Sequence, residues 1–328
     1  MRLQEALLHL WRTTVPRPER SVRLRDEAFL RRLERLALAL QRPPTSGLAG
    51  DHRSRRRSDA PEFADYRTYS PGDDFRRVDW KAYARLGTLY YRQGEAQDEV
   101  TLYLLLDTSP SMDWGQPNKL DYARQLAGAL GYLSLARLDA VGVSTLDPRA
   151  PHLAPLRGKA QANRLFGYLD GVSPSALTSS DVRTLGDGLR GWRRTARRGV
   201  VILITDAFFP EGDARGQHGD ALPERCAAPL GELAGAGFQP ILLHVLSPQE
   251  LAPELAGDLE LVDCESGELV PVSLTPETLM RYQARLDTWC RELERYCGAR
   301  RITYVRLSTG LPLEEAVLGE LRRRGLLV

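Results

Sequence analysis

The sequence predicts an α/β protein built on a doubly wound, mostly parallel sheet. From residue 100 onward, apolar runs of strand length alternate with amphipathic segments of helix length. This alternation is typical of parallel sheets that are covered by helices on both faces. Two of the apolar runs end directly in an aspartate, and ligands of such sheets gather at the carboxyl ends of the strands. The chain has 328 residues, enough for one large domain or two smaller ones.

The chain divides into three regions by composition. The first is rich in leucine at helical spacing, and a pair of prolines then stops the helix. The second carries an arginine-rich loop followed by interleaved acidic, basic and aromatic residues. The third holds the alternation of strands and helices, with a C-terminal extension. The predicted regions are an N-terminal helical segment over 1–45, the interleaved segment over 46–99 and the α/β domain over 100–328.

The 46–99 segment admits two interpretations. Its acidic and basic residues alternate evenly enough to form buried ion pairs that dock the segment on the α/β domain, with an aromatic side chain packed beneath them. The same residues also suit a surface for a partner protein. The even alternation favours docking. The residues of the expected network are Arg67, Asp73, Arg76 and Asp79, with Trp80 beneath.

The elements of the α/β domain follow from the periodicity of the apolar residues. Strands are short apolar runs, and helices show apolar positions three or four residues apart. The predicted strands are Val100–Leu106, Ala140–Leu146, Val200–Ile204, Pro240–Leu246 and Ile302–Leu307, with a hairpin of Glu260–Val262 and Val270–Val272. The predicted helices follow the cap Asn118, span Lys159–Leu169, lie around Leu185–Trp192, span Pro223–Ala234, run from Thr275 to Gly298 and span Pro312–Arg323.

The most informative stretch comes directly after the first of these strands. Asp107, Ser109 and Ser111 supply one carboxylate and two hydroxyls from a single loop. Such hard oxygen ligands suit Mg²⁺ or Mn²⁺ rather than zinc. Because one formal charge lies in this loop, a bound ion stays electron-poor and accepts a further anionic oxygen. The pattern favours gripping a partner's carboxylate over breaking a bond. An ordinary Asp/Ser turn is the alternative interpretation.

A second acidic strand end strengthens the metal hypothesis. Asp206 follows the apolar run that ends at Thr205, and it would share an edge of the sheet with Asp107. A turn or helix-cap aspartate is the alternative for Asp206. A further loop before a helix offers more oxygen ligands, namely Thr178, Ser179, Ser180, Asp181 and Thr184.

The stretch from Leu104 to Met112 resembles the metal-ion-dependent adhesion site of von Willebrand factor type A domains. The resemblance implies a von Willebrand factor type A-like fold. It also implies an Mg²⁺ or Mn²⁺ ion that is held by residues from three loops. The usual Gly-Gly-Thr of the second loop is absent, so Thr184 is the implied ligand there, with Thr178 and Ser180 as alternatives. The implied set is Asp107, Ser109, Ser111, Thr184 and Asp206.

The preceding segment resembles the signature of the bacterial domain of unknown function 58 family. The chain keeps that family's order of motifs, with an arginine-rich loop, Pro71-Gly72-Asp73, Asp79-Trp80 and then the Asp-x-Ser-x-Ser strand. The likeness runs from about Gly47 to Leu146. Members are commonly linked with MoxR-type AAA+ ATPases, in systems thought to remodel proteins or help load metal cofactors. The resemblance therefore implies a MoxR-type AAA+ ATPase as a partner.

Two classes of function follow from these residues. One is a non-enzymatic, metal-dependent protein-binding module that holds an acidic side chain of its partner and acts as adaptor or substrate selector. The alternative is a metal-dependent phosphoester hydrolase, which would need a second metal or a general base. No histidine or second carboxylate pair accompanies the motifs, and the chain lacks the phosphate loop of an ATPase. The sequence favours the binding module.

Composition bears on partners and location. The net charge of +2 predicts no general affinity for nucleic acid, although the basic run from His52 to Arg57 is of a kind that follows phosphates. No signal peptide is expected at the N-terminus, and no apolar run reaches the ~18 residues of a membrane span. The four cysteines have no zinc-site spacing and fit a reducing compartment. We expect a cytoplasmic protein.

Overall fold

Short apolar runs pair into one large sheet and two hairpin-like pairs of strands. The computed structural model describes residues 23–41, 65–70, 78–93, 101–147, 149–175, 189, 192–193, 196–207, 222–264 and 269–326. The chain forms two compact units, one of residues 43–99 and one of residues 1–42 with 100–328. Each unit is described by itself below.

The described strands are β1 Asp65–Thr68, β2 Tyr90–Gln93, β3 Thr101–Leu106, β4 Ala140–Thr145, β5 Leu153–Arg157, β6 Gly199–Thr205, β7 Gln239–Leu246, β8 Gly257–Val262, β9 Leu269–Leu274 and β10 Thr303–Ser308. The described helices are α1 Glu27–Gln41, α2 Trp80–Leu86, α3 Lys119–Ala136, α4 Ala162–Gly171, α5 Leu222–Gly235, α6 Pro248–Leu251, α7 Pro276–Ala299 and α8 Leu313–Glu315. Helix α8 continues as a π-helical turn, and short 3₁₀ turns follow β3 and β5 at Pro110–Met112 and Lys159–Gln161.

A six-stranded sheet with the order β10-β7-β6-β3-β4-β5 organises the larger unit. Its neighbouring strands are parallel except β4 and β5, which are antiparallel. The structure therefore confirms the predicted α/β fold with a mostly parallel sheet. Strand β5 was not predicted; it is an edge strand, mostly exposed, and it contains Pro155, which edge strands tolerate.

Both faces of this sheet are covered, because alternate residues of a strand point to opposite sides. On β3, Leu104 and Leu106 join a core with α1, α3, α4 and the C-terminal helix. Tyr103 and Leu105 join a second core with α5 and the last turns of α7. This two-sided burial explains why the central strands are nearly continuous apolar runs.

Helix α7 is the longest helix among the described residues. Its N-cap Thr275 accepts a hydrogen bond from the N–H of Thr278, and Pro276 follows at the first turn, as the sequence predicts. The hairpin of β8 and β9 is confirmed and packs on this helix through a third core that includes Leu261, Val272 and Leu286. No helix within the described residues is both long and apolar enough to cross a lipid bilayer.

The first helix, α1, belongs to the core of the larger unit. Phe29, Leu33 and Leu36 are buried there, and the Phe29 ring meets the ring of Phe166 edge to face. Arg32 adds a bidentate ion pair with Glu314 at 2.6 and 2.8 Å. The leucine spacing that predicts this helix thus reflects burial against the α/β domain.

The unit of residues 43–99 contains the antiparallel pair β1 and β2 and the short helix α2. Asp79 is buried and caps α2, because its carboxylate accepts from the N–H groups of Lys81 and Ala82, both at 3.0 Å. The expected packing of Trp80 beneath an ion-pair network is wrong, since Trp80 is 58% exposed. Its ring meets Tyr83 one turn on.

Other members of the expected network fall outside what the structure describes. Asp73 and Arg76 lie outside the described residues, and Arg67 is described in its backbone alone. The ion pairs among them and the docking of the 46–99 segment on the α/β domain stay predictions.

The packing of α1 yields a test with a matched control on one helix. Leu33 is fully buried and Leu38 is 60% exposed. We expect Leu33→Ala to lower the free energy of unfolding by about 2–5 kcal/mol, because it leaves a cavity in the core. Leu38→Ala should change it by no more than about 0.5 kcal/mol. Urea unfolding of both variants measures this, and equal losses would show that α1 does not contribute to the core.

Candidate metal centre at the carboxyl edge of the sheet

Asp107 is the first residue after β3 and lies at the carboxyl edge of the sheet. Its N–H donates to the carbonyl of Ile204 at 2.9 Å, which continues the pairing of β3 with β6. Its buried carboxylate accepts two hydrogen bonds. Oδ1 accepts from the N–H of Ser109 at 2.9 Å, and Oδ2 accepts from the hydroxyl of Thr205 at 2.6 Å. The neighbouring strand therefore fixes the direction of the carboxylate.

The two serines of this loop present their hydroxyls side by side. The Oγ atoms of Ser109 and Ser111 are 3.0 Å apart. A 3₁₀ turn brings them together, with Pro110 at its first position and Met112 fully buried as its anchor. An octahedral Mg²⁺ with ligands at about 2.0–2.1 Å separates neighbouring ligand oxygens by about 3 Å. This separation is that of a hydrogen bond between the two hydroxyls and also matches adjacent Mg²⁺ ligands, so the residues fit the ion.

Asp206 directly follows β6 and is completely buried. The next residue, Ala207, has a left-handed φ of 56°, a conformation that costs an L-residue about 1–2 kcal/mol. The Thr205 hydroxyl offsets this cost by accepting a hydrogen bond from the N–H of Ala207 at 2.9 Å. The sharp turn thus keeps Asp206 at the same edge as Asp107. These two residues and the two serines converge there, as the sequence predicts.

A buried lysine that sequence reasoning missed pairs with Asp206. The Nζ atom of Lys119 lies 2.8 Å from Asp206 Oδ2 and 2.5 Å from Glu250 Oε1. The other oxygen of Glu250 accepts from the N–H and the hydroxyl of Ser247, at 2.6 and 3.0 Å. Burial alone disfavours the ammonium, but the attraction of Asp206 and then of Glu250 outweighs it and raises the pKa of Lys119. The lysine is therefore charged.

The electrostatics of the edge differ for its two aspartates. Burial first, and then the charge of Asp206, raise the pKa of Asp107 to about 6, against hydrogen bonds from Thr205 and Ser109 that lower it. Asp206 instead has the Lys119 ammonium against its carboxylate. Asp107 is thus the group whose charge is least compensated, which is the property expected of a carboxylate that awaits a cation.

The chain at Ser175, where the predicted second ligand loop begins, contacts the loop that carries Asp107. Ser175 donates its N–H to the carbonyl of Thr108 at 2.6 Å and its hydroxyl to Asp147 at 3.1 Å. The chain just before residues 176–188 therefore lies against the loop of Asp107. Thr184 and its alternatives Thr178 and Ser180 lie outside the described residues, so the ligand from this loop stays a prediction.

The described residues hold no cluster of three or more His, Cys, Asp or Glu side chains suited to a metal ion. An ion at this edge would therefore depend on the serine hydroxyls together with the carboxylates of Asp107 and Asp206. Hydroxyl and carboxylate oxygens of this kind are hard ligands. The donor set favours a magnesium-like ion over zinc.

Signals for the missed residues exist in the sequence. Lys119 is one of only three lysines, whereas arginine supplies the other 42 of the 45 basic residues. This rarity does not by itself indicate burial, because Lys159, another of the three, is 61% exposed. Glu250 stands three residues after Ser247, the spacing of a capping box directly after a strand. Thr205, between an apolar strand and Asp206, carries no signal of its own.

The Lys119 cluster yields a stability test. We expect Lys119→Met to lower the free energy of unfolding by about 3–5 kcal/mol, because it leaves the carboxylates of Asp206 and Glu250 buried without a counter-charge. The control is Lys159→Met, which removes a lysine that is 61% exposed. For the loss of an exposed ion pair, we expect the free energy of unfolding to change by no more than about 1 kcal/mol. Urea unfolding at pH 7.5 in EDTA gives both values. Similar losses in the two variants would contradict the analysis.

The raised pKa of Asp107 yields a pH test. Between about pH 4 and pH 6 folded Asp107 keeps a proton that the unfolded chain has released, so its contribution to stability falls as pH rises through this window. In EDTA, Asp107→Asn should match the wild type near pH 4 and be more stable by roughly 1–3 kcal/mol above pH 7. Urea unfolding across this range measures the difference.

Two features keep that test specific. Burial lowers the pKa of His244 to about 4, so His244 makes stability rise between about pH 4 and 6.5. This opposite trend is present in both proteins and cancels in their difference. Asp287→Asn is the control for the loss of an exposed carboxylate away from the edge. A difference between wild type and Asp107→Asn that is constant across pH would refute the assignment.

Comparisons with known proteins set this site in a family context. The uncharacterized proteins Rv1480 of Mycobacterium tuberculosis and Mb1516 of Mycobacterium bovis are each 28% identical to the chain over 255 residues, 76% of this chain and 75% of theirs. Among solved structures, the conserved hypothetical protein BatB of Bacteroides thetaiotaomicron is similar with 20% identity and a TM-score of 0.42, covering 69% of this chain and 99% of that one. An aerotolerance-related membrane protein of Bacteroides fragilis gives 19% identity and a TM-score of 0.42, with coverage of 68% and 99%.

The family assignment rests on a match over most of the chain. The family described as "Protein of unknown function DUF58" matches residues 65–288, which include the motifs from Arg67 to Trp80, the first loop and Asp206. This match confirms the resemblance to the domain of unknown function 58 family, which the motifs between Arg67 and Ser111 indicate. The chain therefore belongs to the DUF58 family.

Proposed function

We propose that this protein is a non-enzymatic, metal-dependent protein-binding module with a von Willebrand factor type A-like domain. One observation carries the proposal, namely the convergence of Asp107, Ser109, Ser111 and Asp206 at the carboxyl edge of the parallel sheet. These residues would hold Mg²⁺ or Mn²⁺, with Thr184 as the proposed ligand from the second loop. The bound ion would supply a positive charge that accepts a carboxylate of the partner.

The charge balance at this edge supports binding of an acidic partner. Lys119 already neutralises part of the charge of Asp206. A divalent ion held by Asp107 and hydroxyl oxygens would therefore keep an excess of positive charge. Mg²⁺ prefers six oxygen ligands and takes carboxylates readily, so an Asp or Glu side chain of the partner is the natural last ligand.

The same geometry gives little support to hydrolysis. A hydrolase would aim a general base or a second metal at the attacking water. His244 interacts electrostatically with Asp206, but it is fully buried and its Nδ1 lies 2.8 Å from the hydroxyl of Tyr304. Lys119 is buried and paired with two carboxylates. Neither side chain has access to a water at the edge, so binding explains the arrangement better.

The proposed partner is a MoxR-type AAA+ ATPase, for which this protein would serve in the cytoplasm as adaptor or substrate selector. The support is the family membership and the absence of a phosphate loop from the sequence. Any ATP hydrolysis in such a system would come from the partner. The metal site would then provide the contact to an acidic side chain on the ATPase or its client.

The metal part of the proposal has a direct test. We expect the wild type to bind Mg²⁺ or Mn²⁺ in calorimetric titration, and Asp107→Asn to lose this binding while it keeps its fold, because the carboxylate contributes to the ion rather than to the apolar core. Asp287→Asn is the control and should bind as the wild type does. Wild type that binds neither ion at millimolar concentration would contradict metal binding, unless a partner carboxylate added as acetate restores it.

The partner part is tested by a pull-down of the MoxR-type ATPase from the same organism. Wild type and Asp107→Asn are compared in Mg²⁺ and in EDTA, and we expect retention only by the wild type in Mg²⁺. Equal retention in all four conditions would refute a metal-bridged contact. The purified protein should not hydrolyse phosphoesters. Metal-dependent hydrolysis that Asp107→Asn abolishes would establish the hydrolase alternative instead.

A further inference from the structure

Lys119 occupies a position that ordinary helix energetics disfavours. It is the first residue of α3, directly after the N-cap Asn118, whose side chain accepts from the N–H of Asp121 at 3.0 Å. The positive end of the helix dipole repels a cation at this place. Its side chain is also 99% buried, and burial of an ammonium is costly unless it is paired. The charge of this lysine therefore depends on its acidic partners, Asp206 and Glu250.

The surroundings hold the ammonium in place. Glu250 is committed on its other oxygen to the capping box of α6. The loop before Lys119 is fastened to that same turn, because Gln116 and Gln249 exchange two hydrogen bonds of 3.1 and 2.9 Å. A Cβ on Gly115 would lie only 2.6 Å from the Cβ of Ser247, so the two loops are in close contact. Lys119 thus cannot swing away without the displacement of both loops.

These contacts make Lys119 a fixed positive charge on Asp206. The aspartate gives its Oδ2 to Nζ at 2.8 Å, whereas an ion at the edge needs the same carboxylate. Two cations that share one carboxylate compete for it, and they also repel each other directly. Coulomb energy falls with distance, so a charge in contact with a ligand matters far more than one on the surface.

On the basis of the proposed function, we infer that Lys119 is a built-in competitor of the metal ion and the determinant of its affinity. The ammonium weakens binding of Mg²⁺ alone. It also leaves the bound ion with uncompensated positive charge, which a carboxylate of the partner then neutralises. Metal and acidic partner therefore bind together more readily than the metal by itself, and the site stays largely empty until the partner arrives.

The test uses a variant that removes the competitor while it preserves the fold. Lys119→Met by itself leaves two unpaired carboxylates and is expected to be unstable. The double variant Lys119→Met with Glu250→Gln leaves one carboxylate, that of Asp206, without the ammonium instead of two, and a glutamine at position 250 can still serve the capping box. Circular dichroism and thermal unfolding establish that it folds. Lys159→Met is the control for loss of an exposed lysine.

Calorimetric titration with Mg²⁺ gives the decisive comparison. We expect the double variant to bind Mg²⁺ about tenfold or more tightly than the wild type, and Lys159→Met to bind as the wild type does. Addition of 0.1 M acetate, a stand-in for the partner carboxylate, should strengthen binding more in the wild type than in the double variant. Mg²⁺ should also raise the melting temperature of the double variant more than that of the wild type.

The outcomes separate this inference from the proposed function. Wild type that binds Mg²⁺ with a double variant that binds it equally or more weakly would overturn the role of Lys119 alone. Absence of binding in both proteins, with and without acetate, would overturn the metal site itself. Asp107→Asn is added to the double variant as a final check. Tight binding that survives this third change would mean that a new site had formed at Asp206, and would also overturn the inference.

Discussion

The parallel pairing of β3 with β6 is the constraint on which the candidate site depends. Leu106 pairs with Ile204, so the two strands end together and release Asp107 and Asp206 at one edge. The same register places the Thr205 hydroxyl 2.6 Å from the Asp107 carboxylate. A slip of one residue would turn every side chain of a strand to the opposite face. Because both faces of these strands are buried in large cores, such a slip is strongly opposed, and the burial of leucines fixes the positions of the carboxylates.

The edge of the sheet is held together by charge rather than by apolar packing. Loops after β3, β6 and β7 each contribute an acidic side chain, and Lys119 from the start of α3 joins two of them. The ammonium therefore links three separate segments, namely the start of α3 and the turns that carry Asp206 and Glu250. It also explains why Asp107, which has hydrogen bonds but no basic partner among the described residues, keeps a raised pKa while Asp206 has its counter-charge. Among the described residues, Asp107 therefore lacks the basic counter-charge that Asp206 has.

Sequence patterns predicted the parts of this structure that local chemistry determines. The order of the five parallel strands, the caps Asn118 and Thr275, and the delivery of Asp107 and Asp206 to strand ends all follow from periodicity and composition, whereas the edge strand β5 does not. The patterns failed where a residue acts through a distant partner. Lys119 meets Glu250 across 131 residues of chain, and no spacing rule reports that contact. The prediction for Trp80 was wrong, and the Asp79-Trp80 motif did not reveal that Asp79 caps its own helix.

Two buried basic residues on the same helix show which features of this protein are structural and which point to function. Arg124 of α3 donates to the carbonyl of Leu169 near the end of α4, and it pairs with Asp121 and Asp170. The carboxyl end of a helix attracts cations, so the position of Arg124 beside the end of α4 stabilises its charge, as its acidic partners also do. It needs no function beyond stability.

Lys119 lies five residues earlier on α3 and has the opposite circumstances. The helix dipole opposes its charge, and its burial is complete. Close by are the left-handed Ala207 and the raised pKa of Asp107, two further features that cost stability. Strained and electrostatically costly groups persist together where the remaining structure can sustain them and where a site requires them. Among the described residues, left-handed residues also occur elsewhere, at Leu138 and Arg301, but only at the turn of Ala207 does one lie beside a buried lysine and a carboxylate of raised pKa. This combination is the physical reason why we propose that the function lies at the carboxyl edge.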